Sequence, residues 1–149
     1  VPGSIDVAEY ILQRCGSMSA TKLQKLVYYC QAWSLVWDDR PLFDDEIQAW
    51  ANGPVIPVLY RAHRGQSIIS TVGGNADAIA RDPIASETVD SVLAYYGDKT
   101  PLWLSDLTHE EAPWTQARGE LPAGAWSDHV ISNEAMRSYY SSLVREAEN

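Results

Sequence analysis

No apolar run in this sequence approaches the ~18 residues that span a bilayer. Nor does the chain open on a basic segment followed by an apolar one. Neither a transmembrane helix nor a secretory leader is expected, and the reading is of a soluble, cytoplasmic protein. Cysteine is scarce: Cys15 and Cys30 stand far apart, with no C-x-x-C pair. That is too little for a disulfide-stapled secreted fold. Both fall on apolar faces of expected helices and read as buried free thiols, with a bridge between them left open. The histidines, His63, His109 and His129, are never spaced i, i+4 from one another or from a cysteine, so no metal site is expected. A nucleophile elbow, a P-loop and a dinucleotide-binding glycine motif are all missing. No catalytic residue and no cofactor are assigned. Basic residues are also few, 11 Lys and Arg against 20 Asp and Glu, for a net charge of −9. A nucleic acid as main partner and an anionic membrane surface both demand the opposite balance. A basic protein partner, or solubility alone, fits it.

What is present is a chain of 149 residues, one domain's worth, of which 46% are apolar. A chain of that length can bury roughly 70% of its unfolded surface. The aromatic set is unusual: six Trp and eight Tyr beside a single Phe. Trp and Tyr join a large apolar body to a polar tip, which suits wet-edged cores and interfaces. The charge is uneven. Residues 1–65 balance Arg14, Lys22, Lys25, Arg40, Arg61 and Arg64 against a similar number of acids, whereas the remainder is strongly acidic.

Val1-Pro-Gly-Ser4 reads as an expression-tag remnant, leaving 5–149 as one domain. Ile5 to Cys15 has helical spacing at Ala8, Ile11, Leu12 and Cys15, with Ser4 as a cap and Gly16 as a stop. Ser19 caps a helix from about Ala20 to Trp37, the strongest periodic segment and the expected centre of the core. Its stripe is Leu23, Leu26, Val27, Cys30 and Trp33 or Ser34, extended by Trp37, with Lys22, Lys25 and Gln31 off it. Residues 42–55 are the one place for β structure: Ile47–Trp50 extended, Leu42-Phe43 available to pair, and Asn52-Gly53-Pro54 as a turn. Pro57 opens a short helix ending at His63. Residues 66–83 are the least patterned, with a short extended piece at Ile68-Ile69, and are the expected mobile stretch. Ser86 caps a helix to about Tyr96, and Thr100 caps a short one to about Leu107, with Pro101 in its first turn. Thr108-His-Glu-Glu111 has the form of a capping box for another, ending near Arg118. Ser132 caps a last helix to about Ala147. The fold class is mainly α, a single compact multi-helix domain with at most a short hairpin around residues 42–55.

The acidic cluster Asp38, Asp39, Asp44, Asp45 and Glu46 lacks the spacing of a calcium loop and reads as a solvated turn. His109, next to an expected cap, reads as a structural imidazole bonded to backbone. Trp33 and Trp37, one helical turn apart, read as core. Trp50, Tyr60, Trp114 and Trp126 come from short or irregular segments, where both core and interface roles are open.

Several stretches together resemble one family. They are SATKLQKLVYYCQA from Ser19, RPLFD from Arg40, EIQAWANGPV from Glu46, Tyr60, and LSDLTHEEAPWTQAR from Leu104. In this order they look like the Panacea, or SocA-like, antitoxin domain, with the resemblance running over about residues 5–145. It implies a mainly helical antitoxin of bacterial or phage origin. Such a protein binds and neutralises a cognate toxin, small alarmone synthetases among them. A second role that the resemblance implies is a proteolytic adaptor, which also needs a protease unfoldase as partner. An unrecognised metal-dependent hydrolase is the remaining alternative. The candidate partner-binding residues are Trp50, Tyr60, His109, Trp114 and Trp126. Lys22, Leu23, Lys25, Gly53, Pro54, Thr108 and Pro113 are candidate scaffold, with Gly53, Pro54 and Thr108 assigned there by backbone geometry. The turn after Trp50 is expected to pack on the helix near Thr108.

Overall fold

The computed structural model describes residues 2–148. In chain order the elements are α1 (Ser4–Cys15), β1 (Met18–Ser19), α2 (Ala20–Trp37), β2 (Gln48–Trp50), β3 (Gly53–Val55), α3 (Pro57–His63), β4 (Ile68–Ile69), α4 (Asp77–Ala80), α5 (Pro83–Tyr96), α6 (Pro101–Glu110), α7 (Ala112–Arg118) and α8 (Asn133–Glu148). The fold is mainly α, as the sequence predicts.

Helix α2 is the axis. Ser19 Oγ accepts the Lys22 amide at 3.1 Å to start it, and α1, α5, α6 and α8 pack around it. Every residue from Leu23 to Ala32 is buried, so this helix has no solvent face there. Two residues expected off its stripe, Lys25 and Gln31, are therefore inside. Gln31 does for residues 42–43 what a partner strand would do. Its Oε1 accepts from the Leu42 and Phe43 amides at 2.8 and 3.1 Å, and its Nε2 donates to the Phe43 carbonyl at 2.8 Å. Leu42 and Phe43 thus bury their side chains without entering a strand.

The hairpin pairs β2 with β3, in the register Gln48 opposite Val55 and Trp50 opposite Gly53. The turn lies one residue earlier than expected, at Ala51-Asn52. On its other side β2 is joined by the chain entering α8: Ala49 N donates to His129 O and Ile131 N to Ile47 O, both at 2.8 Å. Tyr28, Tyr29, Tyr96 and Tyr140 fill the space between α2, α5 and α8, with the Tyr29 and Tyr96 rings stacked 4.2 Å apart.

Several expectations are corrected. Gly3, not Ser4, caps α1; Ser4 is buried within it, where its amide and hydroxyl donate to Asp45 at 2.8 and 2.6 Å. Two residues set aside as a tag remnant are thus built into the fold, while Val1 lies outside the described residues. Asp45 is a cap, not merely part of a solvated turn. Cys15 is exposed and Cys30 buried, and both are free thiols. The helix expected from Ser86 starts at Pro83, where Asp82 accepts the Ile84 and Ala85 amides. Trp37 is 49% exposed, since the last turn of α2 runs past its neighbours, although its ring stacks on Trp33 at 5.0 Å. The unpatterned stretch is tied down rather than free. Ile68-Ile69 pairs with Met18-Ser19, and the Glu9 carboxylate gathers Thr71 Oγ1, Val72 N and Gly74 N at 2.8 to 3.3 Å.

The capping box expected at Thr108 does not form. Helix α6 continues through Thr108 to Glu110, and the Thr108 hydroxyl donates back to Ser105 O at 2.8 Å. Glu111 turns inward instead of capping. Its Oε1 accepts from Tyr29 and Tyr140 at 2.7 and 2.8 Å. The Tyr140 hydroxyl spends its hydrogen on Glu111, so the 3.1 Å contact between Tyr28 and Tyr140 has Tyr28 as donor.

Candidate functional site

The residues that carry the family resemblance come from three distant parts of the chain and meet beside the β2–β3 hairpin. Lys25, on α2, is 2% exposed, and its Nζ donates to the Pro54 carbonyl at 3.2 Å. Gly53 makes room for it. The backbone there has φ of +122°, and a Cβ would stand 2.7 Å from Lys25 Cε and 3.1 Å from Thr108 Oγ1. Only glycine adopts that conformation and permits that approach. The turn after Trp50 packs at Thr108, but on α6, which runs through that residue, rather than on a helix that Thr108 caps. Lys22, by contrast, lies elsewhere: its Nζ donates to Gly97 O at 2.7 Å, tying α2 to the end of α5. Leu23 is fully buried in the core, and Pro113 is a buried first-turn proline of α7.

The five candidate partner residues gather around this hairpin. Trp50 and Tyr60 meet edge to face with centroids 5.0 Å apart. Trp114 lies behind Trp50 and donates its indole N–H to the Trp50 carbonyl at 2.8 Å. His109 stacks tilted on Trp114 at 4.4 Å. The expected backbone bond of His109 is not made through Nε2, a buried atom without a hydrogen-bond partner. Trp126, 78% exposed, belongs to the loop before α8.

Between α2, the hairpin and α3 lies an open cavity of about 300 Å³. Trp50, Tyr60 and Trp126 are its aromatic lining, joined by Gln24, Lys25, Asn52 and His63. Gln24 is fixed by its surroundings: Oε1 accepts from Ile56 N at 2.9 Å, so Nε2 donates to His63 Nε2 at 3.0 Å. Burial lowers the affinity of His63 for a second proton, consistent with a neutral ring. Burial also brings Lys25 down from 10.5 to about 8. Among the described residues no carboxylate stands within ion-pair distance of it.

Sequence reasoning missed Gln24, His63 and Arg118. Arg118 is buried and spreads its guanidinium over three carbonyls, Ala49, Pro122 and Ala125, at 2.8 to 3.2 Å. It also lies over the Trp114 ring at 5.1 Å. The loop carrying Trp126 is thereby anchored to the hairpin. The available signal was an arginine one residue before the glycine that ends α7, which reads equally well as an ordinary basic helix terminus. Among the described residues no group of three or more His, Cys, Asp or Glu could hold a metal ion, and no helix is long and apolar enough to cross a membrane.

The geometry defines a small, mainly helical protein built around one buried helix, with an aromatic groove where its motif residues converge; a second aromatic-lined groove, at Trp33, Trp37, Tyr95 and Tyr96, lies between α2, α5 and α8. Residues 23–115 match the family described as Antitoxin SocA-like, Panacea domain. The Antitoxin SocA of Caulobacter vibrioides (strain NA1000 / CB15N) is 30% identical over 132 residues, covering 76% of this chain and 70% of that protein. No solved structure matches the chain. This chain belongs to the SocA-like antitoxins of the Panacea domain family. The matched span holds Lys25, Trp50, Gly53, Tyr60, Thr108 and Trp114, whereas Trp126 lies beyond it.

Proposed function

We propose that this protein is an antitoxin that neutralises a cognate protein toxin by binding it directly, with the aromatic groove as the toxin-facing surface, and that it catalyses no reaction. The observation carrying the reading is the convergence of Trp50, Tyr60 and Trp126 on one open groove in a chain of an antitoxin family. Exposed aromatics around a recess are what binding hot spots are built from. The remaining candidates divide by what they touch. Trp114 and His109 support the hairpin from behind, whereas Trp126 touches little and is free to meet a partner. A small alarmone synthetase is the toxin class that the family resemblance suggests.

Co-expression with the product of the neighbouring reading frame tests this, scoring growth rescue and co-purification together. Rescue with a stable complex is the expected result, and no rescue overturns the reading. Rescue without a complex, abolished in a protease-deficient host, makes the protein an adaptor for an unfoldase instead. Trp126→Ala is expected to lose neutralisation with an unchanged melting temperature. Trp114→Ala is expected to lower the melting temperature itself, through its lost bond to the Trp50 carbonyl.

A further inference from the structure

Lys25 is the feature of the groove that scaffold packing explains least. A buried ammonium without a counter-charge is costly, and folded proteins pair such groups or leave them outside. Here three N–H donors meet one acceptor among the described residues, the carbonyl of Pro54. The end of the stem packs closely against the hairpin at Gly53, and the side chain as a whole is 2% exposed. The groove beside it is also unusual for this molecule. The chain has 20 acidic residues, yet none lines this cavity, and Lys25 is the one charged lysine or arginine that does. The other lining groups are aromatic, amide or apolar, with His63 held by Gln24.

We infer that this groove is a carboxylate-binding pocket in which the Lys25 ammonium receives one acidic group, supplied in the antitoxin complex by an Asp or Glu side chain of the toxin. The source of the acid rests on the antitoxin reading; the pocket itself does not. The anion class follows from the charge count. One point charge among neutral walls matches one monoanion. A phosphate dianion would leave one negative charge that no cation of the lining matches, and there is no arginine fork in the lining to meet it. Trp50, Tyr60 and Trp126 then cover the apolar stem of the incoming residue, excluding water from the ion pair and strengthening it. Burial has already lowered the proton affinity of Lys25, and an arriving carboxylate would restore it. The protein thus keeps an unmatched charge in the free state that its ligand would complete.

The test needs no toxin. Wild-type protein is titrated with doubly blocked aspartate, doubly blocked asparagine, acetate and inorganic phosphate, with chloride holding the ionic strength constant. The indole N–H signals of Trp50 and Trp126 report binding. Blocked aspartate is expected to shift both signals saturably, blocked asparagine is not, and Lys25→Met is expected to weaken the aspartate response at least about tenfold. Equal responses to aspartate and asparagine, or an unchanged response in a folded Lys25→Met, overturn the pocket. The aspartate–asparagine comparison stands even if that variant fails to fold. Saturation by phosphate alone overturns the carboxylate assignment. Acetate binding as tightly as blocked aspartate upholds the pocket and overturns the side-chain source, since the residue's stem would then contribute nothing. Failed growth rescue beside a positive titration would remove the antitoxin reading and leave the pocket standing.

Discussion

Glu111 and Lys25 are both buried, and each is held in the form that suits its surroundings by opposite arguments. Burial raises the Glu111 carboxyl above its ordinary 4.5, even though Tyr29 and Tyr140 donate to it. Glu111→Gln keeps an oxygen to accept both hydroxyls and carries no charge. We expect it to be at least as stable as wild type at neutral pH. Glu111→Ala strands two tyrosine hydroxyls and should cost about 2–4 kcal/mol. An acid with a raised folded pKa favours the unfolded state above that pKa, so the margin of Glu111→Gln over wild type should shrink as pH falls toward 4.5. Urea unfolding at several pH values measures this. For Lys25 the sign is reversed. The unfolded chain binds its proton up to about 10.5 and the folded chain only to about 8. Wild-type stability relative to Lys25→Met should therefore rise between those pH values, by about 3 kcal/mol if the full difference is expressed. A flat difference across that window would mean that the amine is solvated. None of this was visible in the sequence, because Lys25 read as lying off the apolar stripe of its helix and Glu111 as the acid of a capping box, and only packing put them inside.

Among the elements, the β2–β3 hairpin depends on one glycine more than on its strands. At three residues each, the strands are too short to be stable alone. They persist because Gly53 lets Lys25 and Thr108 close against them and because Trp114 and Arg118 bind the Trp50 and Ala49 carbonyls. Gly53→Ala places a Cβ 2.7 Å from the Lys25 stem on a backbone with φ of +122°. We expect a loss of about 2–4 kcal/mol in thermal or urea unfolding, and loss of the groove with it. The helices were far more legible. Ser19, Thr100 and Ser132 cap the helices expected of them, since a cap is a local bond read directly from neighbouring residues. Thr108 misled for the same reason. Its T-x-x-E pattern was real, but Glu111 found two buried tyrosines across the fold, and α6 ran on past the supposed start.

Over the whole molecule, the net charge of −9 sits around a groove whose one charged wall residue is a lysine. The two act over different distances. The surface charge acts through solvent over about a Debye length and governs encounter, whereas Lys25 acts on contact. With a basic toxin, raising the salt from about 0.02 to 0.2 M should slow association several-fold while changing dissociation little. Stopped-flow mixing separates the two rates, and a salt-insensitive association rate would count against steering by charge.

By itself the sequence determined most of the helices, the caps at Ser19, Thr100 and Ser132, the place of α2 at the centre and the family, because each is written in local spacing or in contiguous motifs. It also marked most residues of the groove as belonging to one motif set. Only the tertiary structure decided that Lys25, Gln31 and Glu111 are buried, that Cys15 and Trp37 are not, and that Trp126 joins Trp50 and Tyr60 around one cavity. Burial depends on what lies across the fold, and a helix surrounded on every side carries no stripe to reveal which of its polar residues face inward.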